Sequence, residues 1–80
     1  MTRLHPSVVA TMNALLIVRA IDGRATVRDV AECAGMSTAA VHSHLVTLRR
    51  LGLVTWDRAR AGTLRPVVQI VHASTIWRTR

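Results

Sequence analysis

Three features of the sequence predict a small α+β domain, three helices followed by a C-terminal β-hairpin. Residues 6–51 carry three stretches of helical apolar spacing, separated by Gly23 and Gly35 and closed by Gly52. Two β-prone runs follow, at about 53–56 and 64–71. Between them the segment DRARAGTLRP combines a glycine with repeated arginines, the composition of a charged turn. At 80 residues the chain supports one small core. Residues 1–71 are assigned to that domain and 72–80 to a C-terminal tail.

The first helix is expected over residues 6–22. Pro6 suits a first turn, because its missing N–H would have no partner there, and Gly23 accepts the left-handed geometry of a helix end. On a helical wheel Val9, Met12, Leu16, Ile17, Ala20 and Ile21 form a broad apolar arc assigned to the core. Val8, Leu15 and Val18 fall on the other side with Thr11 and Asp22, in an alternating three-four spacing that resembles a coiled-coil seam. Two accounts of the seam remain open: it pairs two copies of the chain, or the C-terminal tail covers it.

The second helix is expected over about 27–34. Thr26 and Asp29 have capping-box spacing, and Val30, Ala31 and Ala34 make a narrow face that lets another helix approach closely. Cys33 is expected to be a small buried or half-buried group. Gly35 ends this helix, Met36 turns inward, and Ser37 or Thr38 caps a third helix over about 38–51. Val41, Leu45 and Leu48 define its inward face, which turns Ala39, His42, Ser43, Val46, Thr47 and Arg50 outward. His44 is placed on the flank beside Leu51. In the hairpin Gly62 serves the tip, and Pro66 restricts its strand to an edge position or a late start.

Charge separates the two halves of the chain. The formal net charge is +7, and all eleven basic residues are Arg. Residues 1–40 carry four Arg against three acids, whereas residues 41–80 carry seven Arg against Asp57 alone. A field concentrated in this way suits a polyanion, because each neutralised phosphate releases condensed counterions.

Other classes of function find little support. A single cysteine, Cys33, gives no disulfide framework and points to a reducing cytoplasm. Asn13 interrupts the apolar segment 8–18 that would otherwise imitate an export signal. No apolar run approaches the roughly 20 residues of a membrane helix. His42 and His44 stand about 200° apart on a helix and cannot share one metal ion. Four acids, one cysteine and scattered serines offer no nucleophile with a base and an orienting group, and there is no glycine-rich phosphate loop. The expectation is a non-enzyme with no cofactor, no metal and no evident small-molecule effector, located with the nucleoid in the cytoplasm. Trp56 and Trp77, with no Tyr or Phe, are too few for a single-strand stacking platform and are read as packing groups.

The order helix, helix, turn, helix, basic hairpin resembles the winged helix-turn-helix transcription regulators. Ala31, Gly35 and Val41 match the spacing of that motif's alanine, glycine and inward aliphatic, and the resemblance covers about residues 6–71. Within that superfamily Val41-His42-Ser43-His44-Leu45, Leu48, Gly52-Leu53-Val54 and the hairpin arginines are similar to the DNA-binding domain of LexA-type repressors. Two departures stand out: a shorter turn between Gly35 and Val41, and no counterpart of the peptidase domain. Similar patterns occur in MarR-like, GntR-like and phage-encoded regulators.

The resemblance implies a third helix seated in the major groove of double-stranded DNA. Ser37, Thr38, Ala39, His42 and Ser43 would then meet base edges or phosphates, with Thr47 and Arg50 toward the backbone. In the hairpin, or wing, Arg60 is assigned to the minor groove or a phosphate, supported by Arg58 and Arg65. These expectations describe a sequence-specific regulator, bacterial or phage and acting as a repressor, that binds as a homodimer through helix 1 or the tail. The seam Val8, Leu15 and Val18 is the candidate dimer surface. The alternatives are a winged-helix module that docks another protein and a nonspecific architectural binder.

Overall fold

A computed structural model describes residues 4–67. Its elements are α1 (Pro6–Asp22), α2 (Val27–Ala34), α3 (Thr38–Arg50), β1 (Val54–Thr55) and β2 (Arg65–Pro66). The strands pair antiparallel, Val54 opposite Pro66 and Thr55 opposite Arg65. The architecture is therefore the small winged helix-turn-helix domain that the sequence predicts. The expected strand beyond residue 67, the tail 72–80 and Trp77 lie outside the described residues.

Local chemistry sets each boundary. The side chain of His5 accepts the Ser7 N–H at the start of α1, and Gly23 closes that helix in the left-handed region. A reciprocal capping box opens α2: the Asp29 N–H donates to Thr26 Oγ1 at 3.1 Å, and the Thr26 N–H donates to Asp29 Oδ2 at 3.3 Å. Thr26→Ala removes one half of it and is expected to destabilise the domain by about 1 kcal/mol, read from urea unfolding. Gly35, at φ 68°, ends α2, and the Met36 N–H reaches back to the Ala31 carbonyl at 3.1 Å. Ser37 then caps α3, its Oγ accepting the Ala40 N–H at 3.1 Å.

The core forms between α1, α2, α3 and the first residues of the sheet. Val8, Ala14, Leu15, Val18, Ala25, Val30, Ala31, Val41, Leu45, Leu48, Val54 and Leu64 are buried together. This reverses the orientation expected for α1. Val8, Leu15 and Val18 are core residues covered by α2, α3 and the sheet of the same chain, so they form no exposed dimer seam. Val9, Leu16, Ile17 and Ile21, assigned to the core by the wheel, are exposed.

Thr11 explains the reversal. Thr11 falls within the stripe that was read as a seam, yet it is fully buried with its polar needs met. Its Oγ1 lies 2.9 Å from the Ser7 carbonyl oxygen, 3.1 Å from His44 Nδ1 and 3.7 Å from Met36 Sδ, so its hydrogen-bonding partners all come from the same fold. His44 is half-buried on the flank of α3, its ring turned to Thr11 of α1. Cys33 is also exposed, because Val30, Ala31 and Ala34 occupy the inward side of α2.

Pro66 is accommodated by register. The Val67 N–H donates to the Leu53 carbonyl at 2.9 Å, which makes Val54 and Pro66 a pair without ladder hydrogen bonds, where a missing N–H costs nothing.

Candidate nucleic-acid interface

The third helix has two separate faces. Val41, Leu45 and Leu48 are fully buried, while Ser37, Thr38, Ala39, Ser43, Thr47 and Arg50 are exposed on the outer side. Two hydroxyls already have local duties: Ser37 caps the helix, and Thr47 Oγ1 donates to the Ser43 carbonyl at 3.2 Å. Ser37 retains its O–H proton for an outside acceptor, and Thr47 retains acceptor capacity.

Arg58, Arg60 and Arg65 are exposed on the wing. Its tip is organised by Asp57 and Thr63. Asp57 Oδ1 accepts the Ala59 N–H at 3.0 Å, and Thr63 Oγ1 accepts the Asp57 N–H at 3.0 Å. The same threonine hydroxyl lies 2.8 Å from the Asp57 carbonyl and 2.9 Å from the Arg60 carbonyl. These short polar contacts hold the loop that presents Arg58 and Arg60.

Trp56 joins the helix to the wing. Its indole meets His42 edge-on, with ring centroids 5.1 Å apart and planes at 73°. The guanidinium carbons of Arg49 and Arg58 stand 5.5 and 5.6 Å from the indole centroid, within cation–π range. His42 is accordingly half-buried and held by the indole, and Val46 is half-buried as well. A base contact from His42 is confined to the part of the ring that Trp56 leaves open.

Arg49 was not among the residues expected at the interface. Its position seven residues after His42 puts the two on one side of α3, but only the fold shows that Trp56 lies there. His42 and His44 part as the helical spacing requires, one toward Trp56 and the other toward Thr11.

Through Trp56, Arg49 and His42 of α3 meet Arg58 of the wing, which joins two basic groups from separate elements at one ring. Among the described residues no helix is long and apolar enough to cross a membrane.

Comparisons with known proteins agree with this geometry. The IclR helix-turn-helix domain matches residues 7–58, from the first turn of α1 to the start of the wing. Neither the curated proteins nor the solved structures give a match. No likeness to LexA-type repressors is shown. The residues that suggested it, Val41, Leu45, Leu48 and Gly52-Leu53-Val54, supply the buried side and exit of α3, which any helix-turn-helix of this geometry requires. With well over half of its length matched, the chain belongs to the IclR-type helix-turn-helix family, the DNA-binding domains of transcription regulators.

Proposed function

We propose that this domain recognises a specific duplex sequence and acts as a repressor, with α3 in the major groove and the wing arginines on the minor groove or backbone. The observation that carries this reading is the surface joined at Trp56, which ties the outer face of α3 to the wing through Arg49, His42 and Arg58. Thr38, Ala39, His42 and Ser43 supply the base-edge contacts, and Ala39 suits a thymine methyl. Ser37, Thr47, Arg49, Arg50, Arg58 and Arg65 hold phosphates, with Arg60 at the wing tip in the narrow groove.

The test is a mobility-shift series on a selected duplex and a random duplex across salt. Arg50→Ala and Arg60→Ala should each lower the log–log salt slope by about 0.9 for every phosphate no longer neutralised. Selected and random duplexes retained equally at moderate salt would refute specific recognition.

Two copies on two half-sites complete this reading. Val9, Leu16, Ile17 and Ile21 give α1 an exposed apolar stripe, and Ile21 is 76% exposed. Ile17→Glu is expected to convert a dimer to monomer in light scattering. An unchanged mass would remove α1 from the interface.

A further inference from the structure

A cleft of about 430 Å³ lies between the wing and the start of α2, and its Trp56 wall also meets His42 of α3. Arg28, Arg58 and Arg60 line it, Trp56 and Leu64 contribute apolar wall, and no acidic residue is among the described residues that line it. Arg24 closes one end, its guanidinium lying over Gly62 and Nη2 donating to the Ala61 carbonyl at 3.4 Å. Gly62 itself is required by its backbone, at φ 79°, and the Arg24 guanidinium rests in the space its missing side chain leaves.

Arg24 bonds the Ala61 carbonyl, Arg28 pairs with Glu32 and Arg58 stands over Trp56, which leaves the guanidinium groups gathered around one hollow with donors to spare. Two carboxylates adjoin the lining but are engaged by backbone amides, Asp57 by the Ala59 N–H at 3.0 Å and Asp29 by the Thr26 N–H at 3.3 Å, while Glu32 pairs with Arg28 at 3.4 Å through largely exposed side chains, and such a pair is easily exchanged for another anion.

We infer that this cleft is a phosphate-binding site, holding one phosphoryl group between Arg28, Arg58 and Arg60 with Arg24 at its rim. Guanidinium forks match phosphoryl oxygens in pairs, and the half-buried indole of Trp56 holds the exposed guanidinium of Arg58 5.6 Å from its centroid. The phosphoryl group has two sources: a backbone phosphate outside the segment read by α3, or a free phosphorylated small molecule. The first source rests on the DNA-binding reading above. The second does not.

Trp56 reports occupancy directly. With Trp77→Phe as background, Trp56 is the single tryptophan. Pyrophosphate titrated at constant ionic strength is expected to change its emission saturably, and Ala61→Glu, which sets a carboxylate at the cleft, is expected to abolish the response. Ala61→Gln should preserve it.

The second arm measures DNA retention by Ala61→Glu against Cys33→Glu, a charge-matched change at an exposed site on α2. A salt slope lowered by about 0.9 in Ala61→Glu alone assigns the cleft to a backbone phosphate. A saturable pyrophosphate response with DNA retention equal in the two variants assigns it to a free ligand. Absence of both effects overturns the site, and since the fluorescence arm uses no DNA, that failure is distinct from failure of duplex recognition.

Discussion

Leu45→Ala is expected to lower the unfolding free energy by about 2–5 kcal/mol, measured by urea denaturation monitored at the helical signal. Leu45 has no exposed surface and shares its cluster with Leu15, Val41, Leu48, Val54 and Leu64. The sequence contains no Phe or Tyr, so the fully buried core is aliphatic, with the half-buried Trp56 packed against its edge. A domain of this size has total stability on the order of 5–15 kcal/mol, and the low end is apt for a chain with one small core. The variant should therefore be partly unfolded at physiological temperature. A loss below about 1 kcal/mol would show that neighbouring side chains collapse into the space and that the packing is looser than the buried surface implies.

Trp56→Ala is the second large effect, and here binding changes more than folding. The indole positions two guanidinium groups and one imidazole, each contact contributing on the order of 0.5–1 kcal/mol. Its removal leaves every arginine in place but unordered, so duplex affinity should fall by about tenfold, equivalent to about 1.4 kcal/mol, while the salt slope stays near its original value. Arg49→Ala should instead lower the slope by about 0.9. Trp56→Phe keeps a ring face for both arginines and should restore most of the affinity. Equal losses for Ala and Phe would assign Trp56 to packing alone.

Much of the architecture was legible in the sequence because the signals were local. Pro6, the Thr26–Asp29 box, Gly35 and Ser37 each determine a boundary through contacts within a few residues, and the helix limits agree closely with expectation. The inward face of α3 was equally clear, since Val41, Leu45 and Leu48 stand alone among polar neighbours. The orientation of α1 was not legible. Apolar residues surround that helix, and the deciding fact is that His44, thirty-three positions away, satisfies Thr11. Trp56 was similarly opaque: nothing local states that residues 42, 49 and 58 meet on one ring. The positions expected at the interface are exposed except for the half-buried His42, and Arg49 came to light only through the fold.

The division of α3 into a buried side and an open side bears on how such a domain changes its target. Leu45 and its two buried companions maintain the packing, whereas Thr38, Ala39 and Ser43 contribute no buried side chain. Substitutions at those outer positions usually alter stability by no more than about 0.5 kcal/mol. The outer face can therefore vary in sequence at nearly constant stability. Ser37 and His42 are tethered, one as a cap and the other to the indole, and exploration should slow at those two positions.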